Sequence, residues 1–224
     1  MGADGVPNRN LQSELKYDCT AQLLQYETHS KLFNDEQRNL FQTIIRDFEQ
    51  YQLNNGPANT VSHFFFIDAP GGTGIFFLNT ISAYLHAKGK IVLSNASSGI
   101  VAVLLAGGRN AHARFKIPLK KILDTDCSVT ARSDAGKTII ASDMIIWDEI
   151  PMISKTFMAS VDCLLHNLMS NTKCFGGKVM VFSGDFRQCL PIIVRQGCAI
   201  ITSEAMKKCP WWNSCKQLRL TENE

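Results

Sequence analysis

Two spacings of apolar residues alternate along this 224-residue chain. In the first, Leu40, Phe41, Ile44, Ile45 and Phe48 recur three and four positions apart, which predicts a helix with one apolar face. Asn34 stands where that helix would be capped, and Gln37 occupies the reciprocal position of a capping box. In the second, apolar residues gather in short, nearly unbroken runs at 64–67, 90–95, 144–148 and 178–182. Such runs suit strands buried on both faces. Helix-like segments lie between them: from a glycine-rich turn to about Lys88, at 97–105 behind a serine cap, and at 155–169. Strands alternating with helices predict an α/β fold, a parallel sheet with helices on both faces.

Turn residues crowd 52–60, and 107–134 is mixed and loop-rich. The expected organisation is a polar leader over 1–30, a candidate for disorder, followed by one domain over 31–224 with a loop-rich insertion at about 107–137. No internal repeat or low-complexity tract interrupts it.

The turn after the first run carries the chemistry. Ala69, Pro70, Gly71, Gly72, Thr73 and Gly74 sit between a buried strand and a helix, where glycines let backbone N–H groups point at phosphate oxygens. The signature G-x-x-x-x-G-K-[ST] would place a lysine on the outer phosphates and a hydroxyl on magnesium. Here Ala69 takes the first glycine position, and Ile75 and Phe76 replace the lysine and the hydroxyl. A cation of that kind is worth about 3 to 4 kcal/mol, or ~100- to 1,000-fold in rate. The fold signal is strong and the catalytic signal is damaged.

Asp148 and Glu149 close the run at 144–148, at the carboxyl end of a parallel strand, where α/β sheets bind ligands. Alone the pair fits a helix cap. After a phosphate loop it fits phosphoryl transfer, with Asp148 as the magnesium acid and Glu149 as the base that orients water. Gln188, just past the run at 178–182, is placed to sense a terminal phosphate.

Composition narrows the classes. A hydrophobic content of 45% suits a globular core, and a net charge of +3 permits a polyanion partner without arguing for one. Eight cysteines contain no C-x-x-C pair and read as reduced thiols. No apolar run approaches the 18 residues or so of a membrane span, so no membrane partner is expected. His63, His86 and His166 read as structural or surface residues, and Trp211-Trp212 as core filling.

LFNDEQRNLF, DAPGGTG, NASSGIVAVLLAGGRNAHARFKIPL, IIWDEIPM, FGGKVMVFSGDFRQCLPI and LRLTEN occur in this order over about 32–223. Together they resemble the Pif family of superfamily-one DNA helicases, in the branch found in eukaryotic genomes and Helitron-type transposons. The resemblance implies a RecA-like P-loop NTPase domain that uses ATP and Mg2+ to move along single-stranded DNA from the five-prime toward the three-prime end. It implies Gln37 on the adenine edge, residues 69–76 on the phosphates, and Ser97, Ser98, Gly99, Asn110, His112, Arg114, Phe115 and Lys116 on the strand. The family usually has Thr and Ser where this chain has Asn110 and Ala113. Serines at a helix start and cations around Phe115 independently suit a single strand. Locally, a solvated basic loop over a buried Phe fits equally well, and motif order favours DNA.

The resemblance further implies roles in DNA repair, recombination, genome maintenance or transposition, in the nucleus, with cytosol and mitochondrion admitted. The chain is expected to be a monomer and to represent the first motor domain only, lacking the second and its arginines, and to hydrolyse ATP poorly. A non-hydrolysing ATP- or DNA-binding module is the alternative. A P-loop nucleotide kinase fits IIWDE and GDFRQ less well.

Overall fold

A computed structural model describes residues 8–54, 63–70, 73–116, 128–188, 191 and 198–221. In chain order its elements are α1 (Arg9–Leu15), α2 (Cys19–Lys31), α3 (Asp35–Leu53), β1 (Phe64–Asp68), α4 (Thr73–Ala87), β2 (Val92–Ala96), α5 (Gly99–Leu104) and β3 (Arg109–Asn110). Then come α6 (Ala111–Phe115), α7 (Asp134–Ala141), β4 (Met144–Asp148), α8 (Lys155–Met169), β5 (Val179–Gly184), α9 (Cys198–Ser203) and β6 (Lys216–Arg219). The strands pair in the order β3-β2-β4-β5-β1-β6, all parallel. The four apolar runs of the sequence are β1, β2, β4 and β5, and they form the centre of the sheet.

Alternation along each strand divides the core in two. Phe65 and Ile67 of β1 pack with Phe41, Ile44 and Phe48 of α3 and with Phe77, Leu78 and Ile81 of α4. Phe64 and Phe66 face the opposite side, with Trp147, Phe182, and Met158, Val161 and Leu165 of α8. Each fully buried side chain of this size is worth about 1.5 to 3 kcal/mol. The capping box at α3 is formed: Asn34 Oδ1 accepts from Gln37 N at 2.8 Å, and Gln37 Oε1 accepts from Asn34 N at 3.2 Å.

The segment expected to be a polar leader is instead helical from Arg9 to Lys31, apart from a short break. Asn8 and Asp18 cap α1 and α2, each side chain accepting from backbone N–H groups one turn ahead. Helix α2 lies along α4 and buries no residue completely. Its hold comes from ring contacts: Tyr26 stacks on Phe41 at 5.5 Å and His29 meets Phe76 at 4.9 Å. Just before α2, Tyr17 stacks on His86 at 3.8 Å. An element fastened by scattered rings carries no apolar stripe, so its sequence looks unpatterned. At the end of α1, Glu14 meets Arg114 of α6 at 3.6 Å, both side chains nearly inaccessible. Part of the stretch expected to be loop-rich forms β3, α6 and the start of α7, while 117–127 lies outside the described residues.

At the amino edge of the sheet, Lys178 Nζ donates to Ile140 O at 2.7 Å and Ser142 O at 2.6 Å, tying the start of β5 to the α7–β4 turn. Burial lowers this lysine to about 8.

Two stability predictions follow from these buried ions. Glu14→Ala leaves Arg114 buried without its carboxylate and is expected to cost about 3 kcal/mol in urea unfolding; a loss below about 1 kcal/mol would show that the pair does not hold α1. Folded Lys178 gives up its proton near 8, whereas an unfolded lysine keeps it to about 10.4. Between those values the unfolded chain binds more protons, so the lysine's contribution grows as pH rises through that window. Lys178→Met is expected to destabilise by about 2 kcal/mol near neutrality, with a larger deficit at pH 9.5; a deficit that shrinks with pH would refute the assignment.

Candidate nucleotide and strand site

Parallel pairing brings the carboxyl ends of β2, β4, β5 and β1 to one edge, and with them the residues singled out from the sequence. Asp148 ends β4, Gly74 lies behind β1, Gln188 follows β5, and Ser97 and Ser98 follow β2. Gly71, Gly72 and the Thr73 side chain lie outside what the structure describes. Ala69 is buried and Pro70 half-buried. A Cβ on Gly74 would stand 3.0 Å from Ser183 Oγ of β5 and 3.3 Å from Ala69 Cβ, so a larger residue there would press on the contact of α4 with β5.

Asp148 is buried, and its Oδ1 accepts from Glu149 N at 2.8 Å. Burial pushes its carboxyl above the usual range, against the pull of that N–H and of the Ser183 hydroxyl. Ser183 Oγ is buried without a well-formed hydrogen bond among the described residues. An anionic oxygen beside a hydroxyl is the hard donor chemistry magnesium takes. Among the described residues no group of three or more His, Cys, Asp and Glu could hold a metal unaided. Magnesium would therefore rest on Asp148, nucleotide phosphates and water.

Glu149 has φ 55° and ψ 36°, a left-handed backbone that a non-glycine residue adopts at a cost of the order of 1 kcal/mol. The bend precedes a turn of 3-10 helix at Ile150–Met152, whose Pro151 fits against β5 because Gly184 lacks a side chain. A Cβ on Gly184 would lie 2.5 Å from Pro151 Cδ. So turned, Glu149 Oε2 accepts from Ser98 N at 3.1 Å.

That bond belongs to a continuous set. Ser97 N donates to Asp148 O at 3.1 Å, Trp147 Nε1 donates to Ser97 Oγ at 3.1 Å, and Asn110 Nδ2 donates to Ser97 O at 3.3 Å. Asn110 Oδ1 in turn accepts from His112 N at 3.0 Å at the start of α6. Ser98 Oγ caps α5, accepting from Val101 N at 3.3 Å, and Gly99 is open to solvent. Ser97, Ser98, Asn110 and His112 are half-buried, and Lys116 is exposed. Burial lowers the His112 imidazole.

Three expectations need correction. Phe115 is wholly buried, stacked on Trp147 at 5.2 Å, and offers no face to a base. Arg114 is buried too, donating to Ser94 O at 3.2 Å as well as meeting Glu14. Desolvation drags its guanidinium down to about 10, so Arg114 itself is not offered to a phosphate. The bland local reading of this loop is thus the structural one for both residues. Phe76 leaves the phosphate side altogether: its ring packs on His29 at 4.9 Å and edge-on to Phe33 at 6.0 Å. Gln37 is buried with its Oε1 committed to the cap of α3. Ile75 is half-buried against the α3–α4 core.

Ser183 opens the strand-end segment that carries Gln188, but its place beside Asp148 was not foreseen from the sequence. Trp147 was likewise missed as a hydrogen-bond donor. The histidines behave as expected: His86 is buried, and His166 meets Asp162 at 3.2 Å. Trp212 is core, and Cys19, Cys163, Cys174, Cys209 and Cys215 are free thiols.

Comparison with known proteins gives the family and the fold. Residues 32–224 match the family model of PIF1-like helicases. The chain is 30% identical over 130 residues to the ATP-dependent DNA helicase Pif1 of Psychrobacter sp. (strain PRwf-1), covering 57% of this chain and 20% of that protein. It is 24% identical over 195 residues to the ATP-dependent DNA helicase RRM3 of Saccharomyces cerevisiae, covering 82% and 26%. The fold matches the crystal structure of Bacteroides Pif1 bound to ssDNA with a TM-score of 0.63 at 21% identity, over 84% of this chain and 42% of that one. The chain thus spans less than half the length of these relatives. With its RecA-like sheet and its acids at the carboxyl edge, the chain belongs to the PIF1-like helicase family.

Proposed function

We propose that this chain is the nucleotide- and strand-binding motor domain of an ATP-dependent DNA helicase of the five-prime to three-prime kind, with its hydrolytic step impaired. It acts in this reading on single-stranded DNA in the nucleus, in repair, recombination or transposition. The observation that carries the proposal is the Glu149–Ser98 bond, which joins the acid suited to water activation directly to the segment suited to a strand. The relatives support it, since two are ATP-dependent DNA helicases and one is bound to ssDNA.

In this reading Asp148 holds magnesium, which when bound neutralises charge on the outer phosphates. Glu149 orients the attacking water once Ser98 N–H releases it, and Gln188, exposed past β5, reaches the terminal phosphate. Ser97, Ser98, Gly99, Asn110, His112 and Lys116 remain the strand-facing set. Backbone N–H groups at the start of α4 hold phosphate with no help from positions 75 and 76. A second reading, a binding module that does not turn over, is favoured by Ile75 and by the burial of Phe76 in the α2 contact.

Calorimetry with Mg-ATP separates the two readings and tests the loop. Ile75→Lys is expected to tighten Mg-ATP binding about tenfold or more with little gain in turnover; equal affinity in both proteins would show that this loop is not the phosphate site. Phe76→Thr added to it is expected to lower stability by about 1 to 3 kcal/mol through the lost ring contacts. Strand binding is expected to be weak and salt-sensitive, falling roughly 20-fold between about 50 and about 200 mM salt for about three phosphate contacts. Lys116→Ala should weaken an oligodeoxythymidylate further while Phe115→Ala should mainly unfold the domain; binding indifferent to salt and to Lys116 would refute the surface.

A further inference from the structure

A second opening lies across β1 from α4, floored by Phe66 and Trp212. Its volume of about 290 Å³ falls at the small end of ligand pockets. Three cations reach it from separate elements: Arg187 past β5, Lys207 in the Met206–Lys208 turn, and Arg219 at the end of β6. Two carboxylates, Asp68 and Asp185, stand among them, which leaves an excess of positive charge.

The pairing is incomplete. Arg187 Nε donates to Asp185 Oδ1 at 2.7 Å, and Arg187 Nη2 comes within 3.6 Å of Asp68 Oδ1. Arg219 approaches only the other Asp68 oxygen, at 3.8 Å, too far for a hydrogen bond. Lys207 has no carboxylate among the described residues; its ammonium lies 4.3 Å from the centre of the Phe186 ring. Asp68 and Asp185 thus draw two guanidinium groups together while leaving most of their N–H donors unused. Two guanidinium forks and an ammonium around a small cavity can together meet several oxygens of one phosphoryl group.

We propose that this cavity is a phosphate-binding subsite, taking the phosphoryl group of a nucleotide or of a nucleic-acid strand. It lies on the opposite face of β1 from the α4 loop and involves neither Asp148 nor Glu149, so it stands whether or not the chain hydrolyses ATP. Because position 75 is isoleucine, these are the cations that the β1 end of the sheet offers to a phosphate.

The test is calorimetric titration of the full chain with ADP and, separately, with a 12-residue oligodeoxythymidylate at low salt. The double variant Lys207→Gln/Arg219→Gln is expected to lose about tenfold or more in affinity for at least one probe, and Lys207→Arg to keep wild-type affinity. Loss confined to ADP identifies a nucleotide as the source, loss confined to the oligonucleotide identifies a strand phosphate, and loss of both indicates a shared subsite. Circular dichroism confirms that the variant is folded. Unchanged affinity for both probes in the folded double variant, or no binding of either by the wild type, overturns the proposal. Neither result depends on Ile75→Lys, so failure here is separable from failure of the loop assignment.

Discussion

The left-handed backbone of Glu149 is the constraint on which the site depends. A right-handed residue there would carry the chain on from β4 without a bend, and the carboxylate would lose Ser98 N. The bend is held from both sides, by Asp148 Oδ1 accepting the Glu149 N–H and by Pro151 seated in the space that Gly184 leaves. One unfavourable dihedral therefore sets the place of an acid, the entry of α5 and the packing of β4 on β5 together. This is strain stored where several contacts determine it.

How much of this was legible depended on what held each element. Strands β1, β2, β4 and β5 announced themselves because a central parallel strand must be apolar on both faces. Strand β6 did not: at the sheet edge Lys216, Gln217 and Arg219 alternate with Leu218, too short and too polar to stand out. Helix α2 was illegible for the same kind of reason, since rings at Tyr26 and His29 hold it rather than a stripe. Asp148, Glu149, Ser97 and Ser98 come together at one edge of the sheet because strand ends converge by topology. Phe115 and Arg114 were illegible, because a cation and a ring in a loop look alike whether they face solvent or Trp147 and Glu14.

The replacement at Phe76 changes what that position does. Where a hydroxyl would be directed to a metal, the ring here joins His29 and Phe33, and the N-terminal helix gains an anchor on α4. In the proposed reading, a position that would serve a metal serves packing instead. The acids across the sheet keep their geometry because they depend on Ser183, Gly184 and the Ser97–Ser98 backbone, none of which touches position 76.

The two margins of the sheet have a bearing on how copies of the chain behave toward one another. An open strand edge is a template for a neighbour's strand. On one side the edge is β3, only two residues long, and Asn10 of α1 accepts from Arg109 Nη1 at 3.1 Å across it. On the other, β6 carries Lys216, held at 2.6 Å by Asp47, and Arg219. A helix thus shields one margin and fixed charge guards the other, so a concentrated solution of this domain resists growth of its sheet from molecule to molecule.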